Sequence, residues 1–208
     1  DFCCGGRRTL LDACRERGLD ADAIARELEL EADEVAPPSI DLAALPLDAL
    51  CDHVEREHHA FLRRELPRLT EAWTKVARVH GAKHPECVQV ARRVAELAEE
   101  LEQHLLKEEM VLFPAIRGIA SGNRAAARHC GSVRNPIGMM ELEHDDAGLV
   151  LRELRALTDD YAVPDDACAT YRAALDGLVE LERDLHAHVH AENNVLFPRA
   201  VAAERGAS

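Results

Sequence analysis

Residues 104–116 read HLLKEEMVLFPAI and residues 188–200 read HVHAENNVLFPRA, and the two stretches share one pattern. Each has a histidine, a glutamate four residues later and, after three more residues, Leu-Phe-Pro. Residues four apart lie on one face of a helix, so His104 with Glu108, and His188 with Glu192, each present an imidazole beside a carboxylate. Two such helices supply half of a carboxylate-bridged two-metal site in a helix bundle.

The remaining ligands of such a site would come from the two other helices of a four-helix bundle. The third long helix offers one histidine, His144, whereas the first offers His53, His58 and His59. The spacing of the apolar residues leaves His58 and His59 nearly equal as inward-facing side chains. Imidazole and carboxylate donors suit iron and could accept manganese, whereas structural zinc sites are rich in Cys.

The composition limits the class of protein and its partners. Ala, Leu, Glu and Arg are abundant and aromatic residues make up 3% of the 208 residues, which is typical of all-helical proteins. The net charge of −14 argues against nucleic acid as a partner, because phosphates would be repelled. No apolar run reaches membrane-spanning length, no secretory leader is visible, and seven cysteines lack a disulfide-like spacing. We therefore expect reduced thiols in a cytoplasmic protein, and, because residue 1 is Asp, we expect that residues before it are missing.

The helix signals divide the chain into three parts. A small helical domain is predicted at residues 1–38, a linker at residues 39–46, and a four-helix bundle at residues 47–203. The bundle helices are predicted at about 47–79, 87–117, 138–159 and 165–203. Pro67 predicts a kink in the first of them, and Pro114 and Pro198, which follow the two motifs at the same interval, predict a bend or a tightened turn.

Motifs spread over the chain carry a resemblance to a known family. They are Asp1-Phe2-Cys3-Cys4-Gly5-Gly6, His59-x-x-x-Arg63-x-x-Leu66-Pro67, His104-x-x-x-Glu108, Glu141-x-Glu143-His144-Asp145-x-Ala147-Gly148 and His188-x-x-x-Glu192-Asn193-Asn194-Val195-Leu196-Phe197-Pro198. Together they resemble the repair-of-iron-centres family, the YtfE/ScdA type of hemerythrin-like di-iron proteins, and the match runs from end to end. The resemblance implies an all-α fold, in which a hemerythrin-like four-helix bundle follows a small helical domain with a CCGG start.

The resemblance also selects ligands that the spacing leaves open. The family carries a histidine four residues before Arg and seven before Leu-Pro, and this pattern favours His59 over His58. Both glutamates are implied to bridge an oxo- or hydroxo-linked pair of iron ions. The implied ligand set is His59, His104, Glu108, His144, His188 and Glu192.

Two glutamates near these ligands are candidates for supporting roles. Glu100 lies one helical turn before His104, and Glu143 immediately precedes His144. Either carboxylate could orient a ligand imidazole, shuttle protons or guide iron. The alternative for Glu100 is an ordinary exposed glutamate of a helix surface.

The cysteines divide into a pair and five scattered residues. Cys3 and Cys4 stand just before a predicted helix start and two arginines, which lower a thiol pKa and predict a reactive or iron-accepting dithiol. The alternative is a buried turn of two small residues. The resemblance implies that these two cysteines matter to activity, as a redox or iron relay. The others, at positions 14, 51, 87, 130 and 168, are interpreted as small apolar residues.

The function implied by the resemblance is the repair of iron–sulfur clusters damaged by oxidants or nitric oxide. The di-iron centre would donate iron, handle nitric oxide, or both, and iron–sulfur cluster proteins would be transient partners. One alternative is a sensor or carrier of oxygen or nitric oxide, and another is an enzyme that reduces nitric oxide. A single histidine on the third helix weighs against oxygen storage. Nothing in the pattern requires a homodimer, which stays open.

Overall fold

The computed structural model describes residues 9–34, 40–123 and 131–206, with side chains except at residues 28–34. These residues contain helices and no strands, which confirms the all-α prediction. The helices are α1 (Leu10–Arg17), α2 (Ala21–Glu34), α3 (Leu47–Val54), α4 (Ala60–His80), α5 (Glu86–Lys107), α6 (Phe113–Ala120), α7 (Arg134–Leu157), α8 (Ala169–His190) and α9 (Phe197–Gly206), with a 3₁₀ turn at Leu42–Ala44. Within the described residues, no helix is long and apolar enough to span a membrane.

Three π-helical turns join six of these helices into three long rods. They are Glu55–His59 between α3 and α4, Glu108–Leu112 between α5 and α6, and Ala191–Leu196 between α8 and α9. The three rods and α7 form the four walls of the bundle. In it α4 packs against α5 and α8, and α5 packs against α7.

The three prolines lie inside or just after the start of helices, and of the predictions made for them only the tightened turn is tested. Pro67 lies inside α4, which continues on both sides of it, and the kink there stays a prediction. Pro114 and Pro198 do not tighten the helix, because each follows a wider π-helical turn. The N–H of Phe113 reaches back five residues to the carbonyl of Glu108, and that of Phe197 reaches Glu192 in the same way. A proline has no N–H to donate, so it is accommodated where the helix resumes α-helical hydrogen bonding.

The third and fourth walls differ from their predicted bounds at the loop between them. Wall three, α7, ends at Leu157 because the hydroxyl of Thr158 donates to the carbonyl of Leu154 and accepts from the N–H of Tyr161. Residues 159–161 follow with φ of 51°, 57° and 64°, a conformation that cannot continue a right-handed helix. The next helix therefore starts at Ala169, four residues later than predicted.

Two apolar clusters fill the core on either side of a polar layer. The larger contains Trp73, Leu97 and Leu178, among others, and the smaller contains Leu50 and Phe113. Along every wall the sequence passes from one cluster to the other through the positions of the predicted ligands. The first wall illustrates this, since Val54 belongs to the smaller cluster and Leu62 to the larger, with His59 between them. The apolar clusters therefore hold the four walls in place around the polar layer.

The N-terminal part of the chain contributes two described helices. The hydroxyl of Thr9 accepts the N–H of Asp12 at the start of α1, and Gly18 ends α1 with a φ of 65°, which glycine adopts without strain. α1 and α2 contact each other. The Cys3-Cys4 motif and residues 35–39, at the boundary between the predicted small domain and the predicted linker, lie outside the described residues.

Candidate metal centre

The polar layer consists of six buried side chains, one or two from each wall. None of them is more than 3% exposed, although all are titratable. The π-helical turns carry His59, Glu108 and Glu192, while His104, His144 and His188 lie on α5, α7 and α8. The structure thus brings together all six residues predicted as ligands. It places His58 beside them, but pointing to Asp184 on α8.

The six side chains form two groups of four that share both glutamates. One group is His59, His188, Glu108 and Glu192, and the other is His104, His144, Glu108 and Glu192. In each group, ligand atoms from all four residues lie within 4.8 Å of one another.

The two oxygens of each glutamate face different groups. Glu108 Oε2 lies 3.3 Å from His59 Nε2, and its Oε1 lies 3.4 Å from His104 Nε2. Glu192 Oε1 lies 3.3 Å from His188 Nε2, and its Oε2 lies 3.2 Å from His144 Nε2. One oxygen per group is the arrangement of a carboxylate that bridges two cations.

Unsatisfied buried atoms provide a test of whether this layer fits a metal. Both carboxylate oxygens of Glu108 and Glu192, and the Nε2 atoms of His59 and His188, are buried and form no hydrogen bond with the described residues. The neighbours of these oxygens are imidazoles at 3.2–3.4 Å, and burying a carboxylate is costly unless a cation compensates it. Oxygen and imidazole nitrogen donors in this ratio suit iron, so the residues fit the group that the hemerythrin-like pattern implies.

Three of the four imidazoles are oriented by a second side chain. Glu109 Oε1 accepts from His59 Nδ1 at 2.7 Å, Glu143 Oε2 accepts from His104 Nδ1 at 2.8 Å, and Asn193 Oδ1 lies 3.0 Å from His144 Nδ1. Such partners fix the ring orientation and direct Nε2 into the polar layer, where the Nε2 atoms of His104 and His144 lie 3.0 Å apart.

The carboxylate partners are themselves held by cations. Arg63 donates two hydrogen bonds of 2.8 Å to Glu109, and Lys107 donates to Glu143. Burial would raise the pKa of Glu109 and of Glu143, but these cations and the histidines lower both pKa values. Both carboxylates therefore stay ionised and can accept from Nδ1.

The pKa shifts within the layer show how its charges balance. Burial lowers the pKa of His188, against the opposing effects of Glu192 and Glu108. Burial acts in the same direction on His104, but Glu108, Glu192 and Glu143 outweigh it and raise its pKa to about 9. His188 and His144 hold the pKa of Glu192 well below its usual range, despite burial.

Of the two glutamates predicted to support the ligands, Glu143 contacts one of the buried histidines and Glu100 does not. Glu143 contacts His104 of the neighbouring wall rather than its own neighbour His144. Glu100 does not bond His104; it lines a cavity of about 670 Å³ beside it, together with Glu96, Glu99, Glu143 and Asp146. Cys3 and Cys4 lie outside the described residues.

Sequence reasoning missed Glu109 and Asn193, although the repeat contained a signal for them. Each immediately follows a glutamate of the repeated motif, Glu108 or Glu192. Each reaches the histidine of a wall without the motif, namely His59 or His144. In both copies of the repeat, the residue after the glutamate therefore contacts a histidine on another wall.

One cysteine differs from its interpretation as a small apolar residue. Cys14, Cys51 and Cys87 are buried, as expected of such residues, whereas Cys168 is exposed. His80 Nε2 lies 3.2 Å from its sulfur, and this contact and the N–H groups at the start of α8 lower the pKa of Cys168 to about 7. Position 130 lies outside the described residues.

Comparisons with known proteins agree with this geometry. A family model for the hemerythrin HHE cation binding domain matches residues 50–200, and a model for a domain of unknown function (DUF542) matches residues 1–32. The iron–sulfur cluster repair protein YtfE of Cronobacter sakazakii is 41% identical over 205 residues, covering 99% of this chain and 88% of its own. The protein of the same name from an Enterobacter strain is 41% identical, and that from Escherichia coli O1:K1 is 39% identical, each over 204 residues, with 98% of this chain and 88% of the relative covered. The chain therefore belongs to the hemerythrin HHE family and, within it, to the iron–sulfur cluster repair proteins of the YtfE type.

Proposed function

We propose that this protein holds two iron ions and repairs iron–sulfur clusters damaged by oxidative or nitrosative stress, by donating iron, handling nitric oxide, or both. The observation that carries the proposal is the pair of buried four-residue groups that share Glu108 and Glu192. The name of the relatives, iron–sulfur cluster repair protein, supports the same function.

Each of the six side chains has a role in this proposal. His59 and His188 would hold one ion, His104 and His144 would hold the other, and Glu108 and Glu192 would each contribute one oxygen to both groups. The bridging carboxylates balance positive charge in a part of the core that water does not reach. When bound, the ions supply labile ferrous iron and positions at which nitric oxide or oxygen can coordinate. Imidazoles and carboxylates hold ferrous iron less tightly than thiolates hold a cluster, which favours transfer to a cluster protein that has lost iron.

The surroundings of His104 suggest how iron enters and leaves. Glu143 accepts from both His104 and Lys107 at the wall of the 670 Å³ cavity. We propose that Glu143 orients His104, and that it and Glu100 guide iron through this acidic cavity. Carboxylates at its wall attract a cation without the tight binding of the buried layer.

The domains and partners complete the proposal. Residues 1–38 form a small domain joined by residues 39–46 to the di-iron bundle of residues 47–203, and Cys3 and Cys4 act there as a redox or iron relay. The partners are iron–sulfur cluster proteins met transiently in the cytoplasm. The acidic net charge of −14 disfavours nucleic acid. A homodimer would be revealed by the molar mass in solution.

Metal analysis tests the site. The wild type, isolated from iron-replete cells, is expected to carry two irons per chain with the coupled Mössbauer signals of a bridged pair. The Glu108→Leu/Glu192→Leu variant should carry none. Glu102→Leu/Glu180→Leu is the matched control, because it removes two exposed glutamates from the same two walls. A wild type without metal would contradict the proposal. So would a wild type that binds a single zinc ion and keeps it when the two glutamates are replaced.

Cluster repair tests the function. An enzyme whose iron–sulfur cluster has been damaged by nitric oxide is incubated with the iron-loaded protein, with the metal-free protein, or with free ferrous iron at the same concentration. Reactivation by the iron-loaded form alone is expected. Equal reactivation by the metal-free form would exclude iron donation.

A further inference from the structure

The four imidazoles of the polar layer are not oriented in the same way. His59, His104 and His144 each bond a side chain through Nδ1. The Nδ1 atom of His188 is buried and forms no hydrogen bond with any described residue. Without such a bond, only another contact can prevent the ring of His188 from rotating about its Cβ–Cγ bond.

The contact that restrains this ring is a stack with His58. The two rings are parallel within 4°, with centroids 5.3 Å apart. His59 also contacts His188, but edge-on, with ring centroids 5.1 Å apart and an angle of 60° between the ring planes. A parallel ring disfavours rotation of its neighbour, because a turn of the imidazole out of its plane loses the offset-stacked contact.

His58 can act as such a support because it is itself held. Its Nδ1 lies 2.9 Å from Asp184 Oδ1, and the two side chains are only 10% and 17% exposed. Asp184 lies four residues before His188 on α8, so anchor and ligand share one helix face. On its outer side, His58 meets the edge of His53 at a centroid distance of 5.9 Å, but His53 Nδ1 forms no hydrogen bond with the described residues, so the anchor of His58 is Asp184.

We propose that His58 is a positioning residue, which fixes the imidazole of His188 by stacking and thereby does for this ligand what a hydrogen bond does for the other three. The inference rests on the proposed di-iron function. It assigns a role to the histidine that the apolar spacing alone did not distinguish from His59. The role concerns one ion, the one held by His59 and His188, since neither His104 nor His144 touches His58 among the ring contacts.

Iron-release kinetics with four variants test the proposal. Iron-loaded protein is reduced and mixed with an excess of a ferrous chelator, and release is followed together with Mössbauer spectra of parallel samples. His58→Ala and His58→Leu remove the flat ring, and the leucine preserves most of the volume. His58→Phe keeps a flat ring in the same place. His53→Ala is the matched control, because it removes an imidazole that touches His58 but no ligand.

The expected result is a change in one of two irons. In His58→Ala and His58→Leu, one iron should leave about tenfold faster than in the wild type and its quadrupole doublet should broaden, while the other is unchanged, in line with the loss that follows removal of an orienting partner. His58→Phe and His53→Ala should stay close to the wild type. Equal release of both irons in all variants would overturn the proposal, as would acceleration in His58→Phe equal to that in His58→Leu. A wild type without two irons would instead overturn the di-iron function itself.

Discussion

The polar layer and the larger apolar cluster of the same bundle are built on opposite principles. In the apolar cluster, side chains such as Leu97, Leu154 and Leu178 are at most 1% exposed and carry no polar atom that needs a partner. In the polar layer, side chains buried to the same extent leave carboxylate oxygens and imidazole nitrogens without hydrogen bonds to the described residues. The apolar cluster stabilises the fold, whereas the buried carboxylates and imidazoles of the polar layer are compatible with a bound cation. The comparison teaches that the groups that stabilise the fold and the groups proposed to bind metal occupy different parts of one core.

Replacement of the shared glutamates is expected to have the largest effect. Glu108→Leu/Glu192→Leu should abolish metal binding, because each group loses half of its ligands. The metal-free variant should nevertheless fold, because it loses the 3.2–3.4 Å contacts between the glutamates and the imidazoles together with the cost of burying two carboxylates. Metal analysis and thermal unfolding with a chelator measure both quantities. A variant that fails to fold would show that the polar layer is needed for folding, against the comparison.

Truncation in the apolar cluster should have the converse effect. Trp73 is fully buried and packs edge-on against Tyr171 at 5.7 Å. Trp73→Ala should lower the free energy of unfolding by about 3–5 kcal/mol. The metal content of the folded fraction should be unchanged. Denaturant unfolding and metal analysis test this, with Val79→Ala on the same helix as an exposed control. Loss of metal from folded Trp73→Ala protein would contradict the separation of the two parts.

Removal of an orienting carboxylate should weaken the metal site without unfolding the protein. Glu109 bonds both His59 and Arg63 and is partly exposed. Glu109→Leu should reduce metal affinity about 10- to 100-fold, chiefly for the ion held by His59. Competition with a chromophoric chelator gives the affinity, and Glu102→Leu is an exposed control two turns away on the same wall. An affinity equal to that of the wild type would mean that Arg63 and Glu109 form only a surface ion pair.

The smallest predicted effect is at the end of the bundle remote from the metal layer. Because contact with His80 lowers the pKa of Cys168 to about 7, its alkylation rate should rise through a midpoint near pH 7. In His80→Gln the midpoint should move up towards 9.0, the ordinary value, so that alkylation at pH 7 slows. Burial raises the pKa of Cys51 to about 12, and this thiol should stay unmodified. Alkylation with iodoacetamide followed by peptide mass spectrometry measures each site.

A control distinguishes a specific effect of His80 from a general one. His84 lies nearby and contacts Glu86 and Asp166, but not the sulfur of Cys168. His84→Gln should therefore leave the midpoint near pH 7. An equal shift in both variants would assign the low thiol pKa to the start of α8 rather than to the imidazole.

Much of the bundle could be predicted because its signals are local. The apolar period of each wall depends only on neighbouring residues, and the repeated His-x-x-x-Glu places two side chains on one face wherever the helix lies. The bounds of α7 and α8 were predicted less well. Thr158 and the residues with positive φ that follow it end α7, and the spacing of apolar residues gives no sign of these features.

The sequence by itself determined the helical class, the apolar stripes and the two matched His–Glu pairs, since all three follow from spacing along one chain. Only the tertiary structure decided which atoms meet across the bundle. Glu143 contacts His104 rather than reaching towards its neighbour His144, and His58 turns to Asp184 while the adjacent His59 faces Glu108. These choices depend on the rotation and register of one helix against another. Packing of the two apolar clusters sets that register, and no single helix contains the information.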